Sequence, residues 1–322
     1  DCLKRRILQL LLLAGLGGLS GCSPMSGFLM NNSGLAHYHN GDFTAARKEF
    51  QRAVADHPGN ADYTYNLASA MRKQGQLAEA DAVIVRTMPP GSLEQVVFRM
   101  DALARLEQLG VTVLNSPRAI ECAVDKYLST ARLLAAGIPV PPTIVCENSD
   151  SALEAYDALG GDVVVKPNFG AEGRGIVRVS DPELALRTFR TLEQLNAVLY
   201  LQAFIDHGGY DDRVLLLDGE VIGGMRRRAR EDFRTNISQQ GLAEPWTPEP
   251  GDIELARVAA EATGTCLAGV DLISNPAGQR MVLEVNAVPG WRALSRVNSI
   301  DVAERLVTWI ETHAGHCAQA TG

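Results

Sequence analysis

Two short apolar runs near the C-terminal end, Leu267 to Ile273 and Met281 to Asn286, constrain the architecture more than any other stretch. Alternation across 281–286 predicts a strand with Met281, Leu283 and Val285 on one face and Glu284 and Asn286 on the other. Asn275-Pro276-Ala277-Gly278 is a turn signal, so the runs are expected to pair as a hairpin that brings Asp271 towards Glu284. Asp, Glu and Asn oxygens gathered at one point are the donors a hard divalent cation such as magnesium takes, commonly shared with substrate phosphates. The wet face of an ordinary strand would show the same residues.

A chain of 322 residues with 46% hydrophobic content has room for roughly two or three modest domains. Its net charge of −8 argues against a general nucleic-acid binder, so no nucleic-acid partner is expected. The six cysteines (2, 22, 122, 146, 266 and 317) are scattered without a Cys-x-x-Cys, and the histidines are dispersed, so neither a disulfide framework nor a zinc site is indicated. No apolar run is long enough for a confident membrane span.

The chain opens with Lys4-Arg5-Arg6, an apolar segment from Ile7 to Leu19, and Leu19-Ser20-Gly21-Cys22, which resembles a bacterial lipobox. Residues 1–30 are therefore read as a signal segment outside the fold. From Asn32 to Ala80, Gly41 recurs at Gly75 and Ala46 at Ala80, both displaced by 34 positions, the period of a tetratricopeptide helix pair. Gly34, Ala46, Phe50, Ala53 and Pro58 make the first copy; Leu67, Ala68, Gly75 and Ala80 begin a second that breaks off. Such a short stack, over 31–81, cannot bury its own face well and points to a protein partner or a neighbouring surface.

Ala82 to Arg86 is a β-type run. Leu93, Val97, Met100 and Ala104 mark one face of a helix closed by Gly110, and 111–114 is a short strand, giving an 82–116 segment. Ser116-Pro117 starts the next helix, with Ile120, Val124, Leu128 and Ala131 inward and Lys126 on the opposite side. Val163 to Lys166 is a buried strand ending in a charge, followed by the glycine-rich turn Gly170 to Gly175 and a returning strand at 176–179. A helix at about 182–195 and a strand at 198–205 follow, then strands 213–217 and 220–228 meeting at Asp218-Gly219, a strong hairpin signal. A helix over 252–263, the 267–286 hairpin and a last helix capped by Ser299, with Val302, Leu306 and Ile310 inward, complete an α+β pattern.

Few of these features are specific singly. The Gly170–Gly175 turn fits neither the Walker pattern nor Gly-x-Gly-x-x-Gly, but a flexible loop directly after Lys166 could close backbone N–H groups over phosphates while the lysine offsets their charge. On a strand, Arg226, Arg228 and Arg230 share a face and Arg227 takes the other; such arginines can bind an anionic substrate, an RNA, or only water.

The order of the pieces says more. Asp125-Lys126, Val165-Lys166-Pro167 with the loop to Gly175, Gln202-Ala203-Phe204-Ile205, Asp211-Asp212-Arg213, Arg227-Arg228-Ala229, Asp232-Phe233-Arg234-Thr235-Asn236, Val270-Asp271-Leu272 and Leu283-Glu284-Val285-Asn286 to Gly290 together resemble the ATP-grasp superfamily, most closely RimK-type α-L-glutamate ligases. The resemblance covers roughly 82–312. It implies an ATP-grasp fold of two α+β lobes (117–314) after a helical tetratricopeptide-like segment. ATP is the implied cosubstrate, magnesium or manganese the metal, and a glutamate-like amine plus a carboxylated acceptor the substrates. By the same resemblance Lys126, Lys166 and the loop glycines Gly170, Gly173 and Gly175 would hold phosphates. Gln202, Ala203 and Phe204 would line the adenine site, the last two through their backbone, and Asp211 would take the ribose. Arg234, Thr235 and Asn236 would line the phosphate side, and Asp271, Glu284 and Asn286 would bind metal. Arg213, Arg227 and Arg228 would steady the γ-phosphate. The chain departs from the family at Ala203, usually Glu, and at Gln239-Gln240-Gly241, usually Arg-Gly-Gly; of the family's N-terminal domain only the 82–116 segment remains.

A reading from another class is a lipid-anchored tetratricopeptide adaptor whose ligase-like half no longer turns over. An active ligase is expected in the cytoplasm, where ATP is found, whereas the lipobox-like motif points to a membrane-anchored lipoprotein. A fusion of two unrelated pieces near residue 80 is a third.

Overall fold

The chain, seen in a computed structural model, is described over residues 8–10, 25–57, 61–73, 82–88, 91–170, 174–229, 235 and 242–313. It divides into two compact units, residues 1–117 with 303–322, and residues 118–302.

The first unit holds β1 (Leu8–Leu10), the helices α1 (Met25–His39), α2 (Phe43–Asp56) and α3 (Ala61–Lys73), then β2 (Ala82–Val85), α4 (Leu93–Gln108) and β3 (Thr112–Leu114). The α1–α2 contact depends on Gly34, where a Cβ would lie 2.5 Å from the Phe50 ring. Phe50 fills the space that glycine leaves and is fully buried with Ala46, Ala53 and Ala70. This is the role expected of those small residues; Pro58, Gly75 and Ala80 lie outside the described residues. Asp42 starts α2 by accepting from the Ala45 N–H at 3.0 Å.

The strands form a parallel sheet in the order β1-β2-β3. Leu8–Leu10 thus pairs within the fold, and α1 begins at Met25, so part of the segment read as signal lies in regular structure; Lys4 to Arg6 and Cys22 lie outside the described residues. In α4 the buried positions are Met100, Leu103 and Leu106, spaced by three. Of the expected stripe, Met100 is buried, whereas Leu93 and Val97 stand in solvent.

The second unit contains α5 (Pro117–Val124), α6 (Lys126–Ala135), β4 (Thr143–Cys146), α7 (Ser149–Ala158), β5 (Val163–Lys166), β6 (Val177–Val179), α8 (Pro182–Gln194) and β7 (Leu199–Ala203). It continues with β8 (Tyr210–Leu217), β9 (Glu220–Arg228), β10 (Leu242–Pro245), α9 (Pro250–Thr263), β11 (Leu267–Ser274), β12 (Arg280–Asn286) and α10 (Arg292–Asn298). These build two antiparallel sheets, β4-β7-β5-β6 and β10-β9-β8-β11-β12. The first is covered on one face by α7 and α8, through Ala152, Tyr156 and Phe189 against Val163, Val165 and Leu201. The second is covered by α6 and α9, through Leu133, Ala256 and Ala260 against Val214, Val270, Val282 and Val285. Helices on one face of each antiparallel sheet give the two α+β lobes the sequence implies.

Several elements differ from expectation. The single helix predicted after Ser116-Pro117 is broken at Asp125, which bridges to Phe169 and caps α6 by accepting from the Leu128 N–H at 3.0 Å. The break resets the helical phase: Ser129 and Leu133 turn inward, while Leu128 and Ala131 turn out. Ser299 does not cap the last helix; it ends α10 in the left-handed conformation (φ 54°), and α11 (Val302–His313) starts three residues later. Val302, Leu306 and Ile310 are buried as expected, and Ile310 packs with Ala82 and Ile84 of the first unit, to which residues 303–322 belong. The strand β4 and helix α7 were not legible in the sequence reading, because neither β4 nor its flanks show a strict alternation.

The segment 139–142 joins both sheets. Pro139, Pro141 and Pro142 have no backbone N–H to offer, and each carbonyl accepts instead: Pro139 O from the Val282 N–H at 2.8 Å, Pro141 O from the Thr143 hydroxyl at 2.9 Å, and Pro142 O from the Ala203 N–H at 2.8 Å. One rigid stretch is thereby tied to β12 and to β7.

Candidate active site

The metal-type hairpin forms as expected, with Asp271 paired directly opposite Glu284 and the Asn275–Gly278 turn closed by the Gly278 N–H on Asn275 O at 2.9 Å. The alternation is not simple, however. The register shifts between Asp271 and Leu272, so that Leu283 is the extra residue of a bulge. The bulge changes the parity: Val282 and Val285 both enter the core, while Leu283, Glu284 and Asn286 face a cleft. Leu283 therefore does not share the core face with Val285, and the bulge places an apolar residue beside two polar ones in the same cleft.

All the described residues that line this cleft belong to the second unit. Both sheets supply walls. Val164, Ile176, Phe204, Ile205, Ile273 and Leu283 make an apolar part; Lys126, Lys166, Asp271, Glu284 and Asn286 make a charged one.

Lys166 ends β5 and is buried, its Nζ donating to Gln202 Oε1 at 2.6 Å. Burial lowers its pKa to about 8, against the opposing pull of Glu284 and with a further push from Lys126. Burial likewise lowers the Lys126 pKa, and again the Glu284 and Asp125 carboxylates oppose it. Two lysines thus sit in the field of one carboxylate, which places all three in a single cleft. Lys126 is not the solvated side chain its helix position suggested: its Nζ donates to Gly170 O at 3.0 Å, and its backbone N–H donates to Asn168 O at 3.2 Å. Asn168 also holds Asp125 and the Tyr127 N–H, so the stretch leading to Gly170 is fastened to the start of α6. Gly170 and Arg174 line the cleft, Gly175 takes a φ of 73°, and Gly173 lies outside the described residues.

Asp271 is fully buried and anchors an ion-pair network. Its carboxylate accepts from Arg213 at 2.6 and 2.7 Å and from Arg227 at 2.6 Å. Burial opposes the charge, but Arg213 and Arg227 outweigh it and hold the carboxyl well below the usual carboxylate range. Arg227 in turn grips Asp211, its cross-strand partner, which also accepts from the Thr235 hydroxyl. Gly269, beside this network, allows the Pro289 ring to approach; a Cβ there would lie 2.9 Å from it.

The donor set fits magnesium. Glu284 stands directly opposite Asp271 in the hairpin, and two neighbouring carboxylates repel unless positive charge lies between or beside them. Asn286 donates through Nδ2 to Glu284 at 3.1 Å and to Gly269 O at 3.4 Å, which leaves its amide oxygen as the atom to offer a cation.

The remaining expected residues sort by strand alternation. Arg227 lines the cleft. Arg228 points to the other face of β9, pairs with Glu244 at 2.9 Å and lies over Tyr210, so it is not brought to the phosphate side as expected. Arg226 shares that face and holds Asp212. Arg213 reaches the site only through Asp271, as a partner of the proposed metal ligand. Asp211 lines the cleft, where Arg227 and the Thr235 hydroxyl engage most of its acceptor sites, as Arg213 and Arg227 do at Asp271. The N–H groups of Ala203 and Phe204 go to Pro142 O and Asp162 O, so these two donors are already engaged by backbone carbonyls. Thr235 is buried at the cleft; Arg234 and Asn236 lie outside the described residues. Arg174, Ile176 and His207 line the cleft without having been singled out; a cationic and an apolar residue closing a glycine loop were the available signal for the first two.

The RimK-like ATP-grasp domain matches residues 123–310, and a tetratricopeptide repeat matches 31–83. The chain belongs to the RimK-like ATP-grasp family. Its curated relatives include the tetrahydromethanopterin:alpha-L-glutamate ligase of Methanosarcina acetivorans, 35% identical over 263 residues, covering 73% of this chain and 81% of the relative. The ribosomal protein bS6–L-glutamate ligase of Escherichia coli is 34% identical over 251 residues, covering 77% and 82%. Among solved structures, the ATP-grasp ligase PsnB complexed with minimal precursor superposes with a TM-score of 0.58 at 25% identity, covering 72% of this chain and 78% of that one. D-alanine–D-alanine ligase from Bacillus anthracis complexed with ATP shares the fold, with a TM-score of 0.57 at 20% identity over 76% and 82%. This RimK-like chain is an ATP-grasp carbon–nitrogen ligase, with ATP and magnesium as its cosubstrate and metal.

Proposed function

We propose that the protein joins the amino group of glutamate to an acceptor carboxylate, with ATP as the energy source. The observation that carries this reading is the gathering of Lys126, Lys166 and Glu284 in one cleft beside Asp271 and Asn286. Lys126 and Lys166 bind the phosphates, and the apolar walls take the adenine. Asp271, Glu284 and Asn286 hold magnesium, or manganese through the same oxygen donors, and the metal supplies charge neutralisation of the phosphates. An acceptor carboxylate oxygen bonds to the γ-phosphorus as the bond to the β-phosphate oxygen breaks, giving an acyl phosphate and ADP. The amine then bonds to the acyl carbon, phosphate departs, and the amine loses a proton. Lys126, Lys166 and Arg227 stabilise the charge that moves towards the phosphate oxygens. Gly170 and Arg174, at the cleft wall, limit the access of water to the acyl phosphate. The acceptor is a small carboxylated molecule, peptide or protein C-terminus, and the tetratricopeptide helices offer a surface for a protein partner.

The test is ADP release by the full chain with ATP, magnesium, glutamate and a panel of carboxylated acceptors. Release that needs both glutamate and an acceptor supports the reading. No release with any acceptor, at any magnesium concentration, favours a protein that binds partners without turning over.

A further inference from the structure

Thr143, the first residue of β4, is not among the residues that line the cleft, yet its hydroxyl is linked to the lysine that does. We propose that Thr143 is a positioning residue that fixes the side-chain amide of Gln202 and, through it, aims the Lys166 ammonium at the phosphates of ATP.

The argument is one of donors and acceptors. The Thr143 hydroxyl has one proton, and it goes to Pro141 O at 2.9 Å. Its oxygen is then left as an acceptor, and Gln202 Nε2 donates to it at 3.1 Å. An amide whose nitrogen is held on one side must present its oxygen on the other, where Lys166 Nζ donates to Oε1 at 2.6 Å. The Tyr200 hydroxyl reinforces the choice, receiving Nε2 at 3.4 Å and bonding to the Thr130 hydroxyl at 2.8 Å. Gln202 is 3% exposed, so water does not compete for the amide. Because Pro141 lacks an N–H and sits in the segment tied to β7 and β12, the carbonyl that sets the direction is itself fixed. One of the three ammonium protons is thereby committed to Gln202, and the other two are left for phosphate oxygens. Without the hydroxyl, Gln202 can rotate and turn its NH2 towards Lys166, which removes the acceptor and adds a repelling donor.

The inference rests on the reading of Lys166 as a phosphate ligand, so the experiment includes that residue. The steady-state parameters for ATP and the ATP dissociation constant by calorimetry are measured for the full chain and for Thr143→Val, Thr143→Ser, Gln202→Leu, Thr143→Val/Gln202→Leu and Lys166→Met. The expected result is a KM and dissociation constant for ATP raised on the order of tenfold in Thr143→Val, with kcat changed far less. Thr143→Ser, which keeps the hydroxyl, should return to within about twofold of the unaltered chain, and the double variant should be no worse than Gln202→Leu alone. Additive effects of Thr143→Val and Gln202→Leu, or a Thr143→Val effect that Thr143→Ser does not rescue, overturn the proposal. If Lys166→Met weakens ATP binding while Thr143→Val does not, only the role of Thr143 falls. If Lys166→Met leaves ATP binding unchanged, the phosphate-ligand reading falls and this role with it. Should Thr143→Val not fold, Thr143→Ala, which also lacks the hydroxyl, takes its place in the same comparison with Thr143→Ser and Gln202→Leu.

Discussion

At the residue scale the protein places an ammonium where burial resists it. Lys166 has a pKa of about 8 in the folded chain against 10.5 for the free side chain. Its folded pKa is the lower one, so its charge costs stability below pH 8, and that cost is lifted as pH rises from about 8 towards 10.5. ATP reverses the preference, because phosphate oxygens favour the ammonium. Near pH 8 about half of the Lys166 side chains in the free protein are neutral, so ATP binding should take up about half a proton. At pH 6.5 the uptake through this lysine should be close to nil. Calorimetry in buffers of different ionisation enthalpy reads the uptake directly, and Lys166→Met should abolish the pH 8 component. The sequence showed Lys166 at a strand end but not its burial, which comes from long-range contacts with Gln202 and the walls of the cleft. Lys126 was legible only as a helix position, because the break at Asp125 that turns it inward depends on Asn168 and Phe169, some forty residues away in sequence.

At the scale of elements, strand pairing decides which charges meet. Asp211, Asp271, Arg213 and Arg227 meet because β8 pairs with both β9 and β11 in register, Asp211 opposite Arg227 and Asp271 opposite Arg213. Strand alternation separates Arg227 from Arg228, but alternation alone does not fix which face is the cleft. Asp271 and Glu284 should therefore respond differently to loss of charge. Asp271→Asn leaves Arg213 without its buried partner, while Arg227 keeps Asp211, and should destabilise the fold by about 3–5 kcal/mol. Glu284→Gln, in a half-buried side chain that the arginines do not bond, should leave stability within about 1 kcal/mol while removing the magnesium dependence of ATP binding. Urea denaturation of the two variants checks the contrast; equal losses of stability would mean that Asp271 is not the structural hub. The bulge at Leu283 was hidden from the sequence, since a six-residue alternation does not reveal an inserted residue. The Asp218-Gly219 hairpin was legible because both residues take a positive φ, 53° and 77°, that few other pairs tolerate.

At the scale of the whole molecule, the chain combines a helical tetratricopeptide segment with a ligase lobe pair whose cleft is drawn entirely from residues 118–302. Both parts were legible for different reasons. The repeat showed through its 34-residue period, and the structure confirms its physical basis in the Gly34–Phe50 contact. The ligase showed through an ordered series of charged and glycine positions, no one of which was specific. What the order could not supply was which side chains are held by their neighbours and which face the cleft; Arg228, paired with Glu244 on the other face of β9, shows the difference. The central claim is that two lysines and an Asp–Glu–Asn set share one nucleotide–metal site. The most direct test is calorimetric titration of the full chain with ATP, with and without magnesium, alongside Lys166→Met and Glu284→Gln. The account predicts binding that magnesium strengthens, loss of about tenfold to a hundredfold in affinity in Lys166→Met, and loss of the magnesium effect in Glu284→Gln. Equal affinity for ATP in all three proteins, indifferent to magnesium, would contradict it.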